Sequence, residues 1–203
     1  MKLKWVAAVA LGAGLLSAAE VQDRLEAAAE SLKEVMDTPD KSIPQDLLNR
    51  AQCIVIVPGL KKGAFIVGAK YGKGFVSCRR EGGVGWSAPG SIRVEGGSFG
   101  FQIGGSETDA FMLVMNQKGM DRLLSTKFTL GGDASVAAGP VGRSTQAETD
   151  AALTAEILTW SRQRGAFLGV SLSGATLRTL ATAGIVILLK TSQQSDAIHV
   201  AAQ

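Results

Sequence analysis

At 203 residues, 46% of them apolar, the chain is long enough for one domain with a buried core and too apolar for a disordered segment. Its 25 glycines follow no collagen period and its aromatic share is only 5%, which favours a β-rich fold with tight turns and bulges. A formal net charge of +3 is too small to single out a nucleic-acid binder.

The first residues read as a targeting segment. "MKLK" is a short basic start, and "WVAAVALGAGLL" is an apolar run short of the ~20 residues a membrane-spanning helix needs. Ser17 and Ala19 supply the small residues a signal peptidase reads, so cleavage is expected after Ala19. Without Lys2 and Lys4, 19 basic residues stand against 18 acidic ones, a net charge of +1. The expected organisation is a signal peptide over 1–19, one domain over 20–190 and a polar tail over 191–203. The first cysteine is Cys53, which excludes lipidation at the cleavage site.

From Glu20 to Asp37, Val21, Leu25, Ala28, Leu32 and Val35 recur at helical spacing. The opposite face carries six carboxylates against Arg24 and Lys33, a net charge of −4, which leaves +5 on Thr38–Gln203. The spacing predicts a helix packed on the core with a solvated acidic face. Such a face does not suit anionic lipid, which selects basic helices. Pro44 opens a short second helix over "PQDLLNRA".

Strand-like sequence begins at Cys53. "CIVIVP" is a compact run, and "GAFIVGAKYGKGFVSCRR" reads as two strands joined by a turn around Tyr71–Gly74. "SIRVEGGSFGFQIGG" and "DAFMLVMN" follow as strands, with Phe99, Phe101 and Ile103 on one face. "QKGMDRLLS" is expected as one or two helical turns. "KFTLGGDASVAAGPVGRS" reads as strand, turn and loop, and "TAEILTWSRQRG" and "AFLGVSLSGATLR" as a final strand pair. "AETDAALTAEIL" also has helical character that periodicity does not resolve. The fold class is α+β: an antiparallel sheet or barrel-like body with a few helices, the longest at the mature N-terminus. Gly96, Gly97, Gly100, Gly104 and Gly105 then serve the sharp bends of the sheet. Cys53 and Cys78 either bridge neighbouring strands or stand as buried small hydrophobes; the second is the adopted expectation, because sequence alone supplies no distance.

No catalytic constellation is legible. His199, the only histidine, lies in the polar tail, and no CxxC, HxxxH or phosphate-cradling loop is present. Glu95, Glu107, Asp109 and Asp133 could form an acid/base pair or a calcium site, but turn capping and solvation account for them more simply. No catalytic residue, metal ligand or cofactor is therefore expected. Lys61, Lys62, Lys73, Arg79 and Arg80, placed at strand ends and turns, form the best anion-facing group, with Lys70 beside them.

"IPQDLLNRAQCIVIVPGLKKGAFIVGAKYGKGFVSCR", "GWSAPGSIRVEGGSFGFQIGG", "LGGDASVAAGPVGR" and "SRQRGAFLGVSLSGATL" occur in the order found in the SYLF (Ysc84-like) lipid-binding domain. The chain resembles that family from about Val21 to Leu177. Trp86, Pro89, Gly139, Pro140 and Arg143 match its motifs and are expected to be structural. The resemblance implies a non-enzymatic module that binds membrane phospholipid, phosphoinositides in eukaryotic relatives, with actin binding in some members and export in bacterial ones. The chain departs from the family in its acidic N-terminal helix, its missing lipidation cysteine and its ending, which includes "GIVILLK". The expected function is an exported phospholipid-binding protein at membrane surfaces. The alternative is an envelope interaction protein that uses sheet edges for self-association or partner binding. A membrane-spanning barrel is disfavoured by too few tyrosines and tryptophans for two girdles.

Overall fold

The computed structural model describes residues 2–38, 42–64, 67–80, 85–99, 104–125, 127–141, 154–163, 166–170 and 172–180. Among them, α1 (Lys2–Met36) and α2 (Gln45–Arg50) precede four long strands: β1 (Cys53–Ala64), β2 (Val67–Cys78), β3 (Gly90–Phe99) and β4 (Gly104–Val114). After α3 (Gln117–Leu123) come the shorter β5 (Lys127–Thr129), β6 (Val136–Ala138), β7 (Ile157–Gln163), β8 (Ala166–Gly169) and β9 (Thr176–Thr179). The strands form one curled sheet in the order β5-β9-β3-β2-β1-β4-β7-β6, with β8 also on β7. Its pairings are antiparallel except β6 with β7. The expected α+β class with the longest helix first is the architecture found.

Alternation along the strands buries both faces. Val55, Val57, Val76, Ile92, Val94, Met112 and Val114 point to an inner core closed by Met120 and Leu123 of α3 and by Phe128. The intervening residues Ile54, Phe111, Leu113, Leu158 and Trp160 point the other way, where Val35 of α1 and Ile43 cover them. Of the helical stripe read from the sequence, Ala28 and Val35 are buried and Leu25 and Leu32 partly buried, whereas Val21 at its start is exposed. Asn116 caps α3, its side-chain oxygen accepting from the Gly119 N–H at 2.8 Å.

Three expectations are corrected. Tyr71–Gly74 is no turn: β2 runs through it unbroken, and the change of direction falls between β1 and β2. Gly74 is there for closeness, because a Cβ on it would stand 2.1 Å from the Ile56 carbonyl oxygen. Cys53 and Cys78 are not free. They face each other in register across β1 and β2 and are joined in a disulfide, with Cα atoms 3.9 Å apart. The turn misplaced by several residues had concealed that register. The final strand pair is found as β7 and β8, but "AFLGVSLSGATLR" breaks after Gly169 and its end forms β9, which joins β3 and β5 across the sheet. Gly100, Phe101, Ile103, most of "AETDAALTAEIL", "GIVILLK" and the 191–203 tail lie outside the described residues.

Candidate functional site

The sheet face covered by α1 changes character along its length. Period-2 alternation puts Tyr71, Lys73 and Phe75 of β2 on this face, and the register adds Lys61 opposite Tyr71. Lys61 and Tyr71 are exposed, and Lys73 is half-buried. With Glu20 and Arg24 of α1 and the bulge residues Pro58 and Gly59, they line a recess of about 290 Å³. Gly59 has φ +60°, a left-handed conformation suited to glycine, at the point where β1 slips register against both neighbours.

An anionic group already sits in this recess. The Glu20 carboxylate accepts from Arg24 Nη2 at 2.5 Å and lies 3.6 Å from Lys73 Nζ. The Arg24 hydrogen bond, followed by the Lys73 and Arg24 charges, holds the Glu20 carboxyl below the usual carboxylate range. Lys61 is opposite Glu107 in the β1–β4 register.

Further along the same face the lining becomes apolar. Leu25, Ala28 and Leu32 of α1 stand over Ile54, Ile56 and Phe75 around a cavity of about 350 Å³, with Trp86 and Pro89 at its side. The alanine leaves space that a larger side chain would fill. The hydroxyl in the lining, Ser77 Oγ, is already used, donating to the Ser87 carbonyl at 2.7 Å.

On the other flank of α1, Asp109 is a junction. Its Oδ2 accepts from Arg162 Nε at 3.0 Å, Arg162 Nη2 at 2.7 Å and Ser31 Oγ at 3.0 Å. Its Oδ1 accepts from the Gly59 N–H at 3.0 Å. Arg162 also pairs with Glu34. One carboxylate thus ties together β4, β7, the β1 bulge and α1, beside a polar recess of about 620 Å³. The acidic face of α1 is therefore only partly solvated, because Glu20 and Glu34 meet cations of the sheet.

The five cations singled out from the sequence do not form one patch. Lys61 and Lys73 share the recess. Lys62 projects from the inner face opposite Lys70; burial, then the Lys70 charge, pushes its ammonium below the ordinary lysine value. Arg79 lies six residues beyond Lys73, about 20 Å along the strand direction. Its guanidinium stacks 4.2 Å from the Trp86 ring centre and donates to the Leu48 and Asn49 carbonyls at the end of α2. Arg80 is exposed nearby.

The family-motif residues have structural settings. Trp86 supports Arg79 and borders the apolar cavity with Pro89. A Cβ on Gly139 would lie 2.0 Å from the Trp160 ring, and Trp160 Nε1 donates to the Pro140 carbonyl at 3.0 Å. Arg143 lies outside the described residues. Of the carboxylates considered, Asp133 caps a turn by accepting from the Thr129 N–H at 2.7 Å, and Glu95 pairs with Arg93 and Arg178.

Sequence reasoning missed Arg24, Tyr71, Arg162 and buried Glu156. Arg122 and Lys118 pair with Glu156 at 2.8 and 3.2 Å, and the Ser135 N–H donates to it at 3.1 Å. Burial alone would raise that carboxyl, but these partners outweigh it and hold it below its ordinary value. The charge split between α1 and the remaining chain was the available signal for the Glu20 and Glu34 contacts.

Among the described residues, no helix is long and apolar enough to cross a membrane, and no group of three or more His, Cys, Asp or Glu residues is placed to hold a metal.

The family described as "Ysc84: Las17-binding protein actin regulator" matches residues 95–184. The chain is 36% identical over 157 residues to SH3 domain-containing YSC84-like protein 1 of Xenopus laevis, covering 74% of this chain and 46% of that protein. It is 36% identical over 142 residues to LAS seventeen-binding protein 3 of Saccharomyces cerevisiae, covering 68% of this chain and 30% of the relative. SH3 domain-containing protein PJ696.02 of Schizosaccharomyces pombe is 37% identical over 139 residues, 66% of this chain and 32% of its own length. The matched region thus spans less than half of each of these relatives. By its matched motifs and these relatives, the chain belongs to the Ysc84-like, SYLF-domain family.

Proposed function

We propose that this chain is a non-enzymatic module that associates with anionic phospholipid at a membrane surface. The observation that carries this reading is the arrangement of exposed Lys61 and Tyr71 and half-buried Lys73 around one recess beside an apolar cavity. Two ammonium groups attract a phosphate-bearing surface, and an aromatic ring with a polar tip suits the headgroup boundary. The Glu20 pairing competes only weakly with this, since exposed ion pairs are weak and exchange partners readily. The shift from charged recess to apolar cavity also matches the two parts of an amphiphile.

We further read the protein as exported. The Cys53–Cys78 disulfide supports this, because such bonds persist in oxidising compartments. Fractionation of the native host tests it: the reading expects the oxidised protein outside the cytoplasm, and a reduced cytoplasmic pool overturns it.

Mass spectrometry of lipids co-purifying with the full chain tests the binding function. A phospholipid at near-stoichiometric amount supports it, whereas lipid-free protein that also ignores added anionic vesicles contradicts it. Protein binding is the second reading. It is favoured by the name LAS seventeen-binding protein given to the yeast relative, and predicts a stable protein complex without lipid preference.

A further inference from the structure

We infer that the cavity beneath α1 holds one acyl chain of a phospholipid, with its phosphate in the Glu20–Arg24–Lys73 recess; this rests on the phospholipid reading above. The cavity, at about 350 Å³, falls in the lower part of the range of small-molecule sites. Its walls of Leu25, Ala28, Leu32, Ile54, Ile56 and Phe75 provide no free hydrogen-bonding group, and Ser77 is committed to Ser87. Water gains little in such a space, so an apolar occupant is favoured.

The polar end is beside it. Lys73 and Phe75 lie on the same face of β2, about 7 Å apart along the strand. Arg24 lines the recess while its neighbour Leu25 lines the cavity. Helix and strand therefore both change from cationic to apolar at the same level. Glu20 marks where an anion rests: its carboxylate is held by Arg24 and Lys73 without burial of its own. A phosphate arriving there would displace an exposed carboxylate and keep both cations paired. The occupant is thus an anionic head joined to an apolar chain, and the adjoining exposed Tyr71 and Lys61 place that head at a membrane surface.

The test uses the full chain and a monoacyl phosphatidic acid carrying a nitroxide near its chain end, supplied below its micelle-forming concentration. In nuclear magnetic resonance spectra, methyl signals of Leu25, Ala28 and Ile54 should be attenuated before those of Met120 and Leu123 in the opposite core. Glu20→Gln should tighten binding a few-fold, and Ala29→Leu or Ala28→Trp, at the two α1 alanines that line the cavity, should weaken it roughly tenfold. Sedimentation of the Ala29→Leu and Ala28→Trp variants with anionic vesicles should change less than about twofold, because both leave Lys61, Tyr71 and Lys73 in place. Uniform attenuation of both cores overturns the inference, as does unlabelled palmitate competing as well as the phospholipid. The unmutated protein supplies that result even where Ala28→Trp fails to fold. Loss of cavity occupancy with vesicle binding retained removes this inference alone; absence of both removes the phospholipid reading as well.

Discussion

Asp109 and Arg162 face each other in register across β4 and β7, with Arg162 Nη2 2.7 Å from Asp109 Oδ2. The same carboxylate accepts from Ser31 on α1 and from the Gly59 N–H at the β1 bulge. Because four donors converge on it, removing its charge leaves each with a weaker partner. Asp109→Asn is expected to cost about 2–3 kcal/mol, the scale of hydrogen bonds to charged groups. Denaturant midpoints check this, and a double-mutant cycle with Arg162→Met should show clear coupling. Additive losses would mean that the junction is not a unit.

Glu156 sets an acid-side dependence. Its carboxyl sits below its ordinary value in the folded protein, so folding is favoured by the ionised form. That contribution is present above the unfolded carboxylate pKa, about 4.3, and is lost as pH falls through the lower folded value. Glu156→Gln should therefore destabilise the protein by about 1–3 kcal/mol at neutral pH. The gap between the two proteins should close in more acidic buffer. A constant gap from pH 7 to pH 3 would contradict the assignment.

Lys62 acts with the opposite sign. Burial and Lys70 lower its pKa, so its charged form is disfavoured by folding. That cost is full below the folded value and disappears above the unfolded value near 10.4. Lys62→Met should stabilise the protein by about 0.5–1 kcal/mol at pH 7, with the gain shrinking towards pH 11. Thermal unfolding at several pH values measures it, and a loss of stability at pH 7 would show a favourable role for this ammonium.

The Cys53–Cys78 bridge spans a sequence separation of 25 residues. A closed loop of that size is expected to contribute about 3 kcal/mol. Paired Cys53→Ala and Cys78→Ala substitutions, compared with the oxidised wild type in denaturant, should show a loss of that order. Equal midpoints would remove the disulfide from any role in stability.

The sequence's alternation reads out the two-faced sheet well, since Ile54/Val55 and Leu113/Val114 point to opposite cores in β1 and β4. The stripe through Ala28 and Val35 likewise marks the buried side of α1. Local signals failed where a distant segment decides the outcome. Gly72 and Gly74 resemble turn residues, yet they let β2 lie tightly on β1, with Val57 and Ile56 where their side chains would be. The disulfide depends on a register that this misplaced turn obscured. Lys61 and Lys62 are neighbours in sequence, but strand pleating sends them to opposite faces, so a linear basic cluster becomes two environments. The cavity has no one-dimensional signature at all, because helix, sheet and the Trp86 segment each supply one wall.

The most direct measurement is sedimentation of the wild-type chain and a Lys61→Glu/Lys73→Glu variant with anionic and neutral phospholipid vesicles over a range of salt. The account predicts a wild-type preference for anionic vesicles that weakens as salt screens charges over ~8–10 Å, and a variant that loses the preference while keeping the wild-type melting temperature. Equal wild-type binding to both vesicle types at low salt, or undiminished preference in the folded variant, would contradict it.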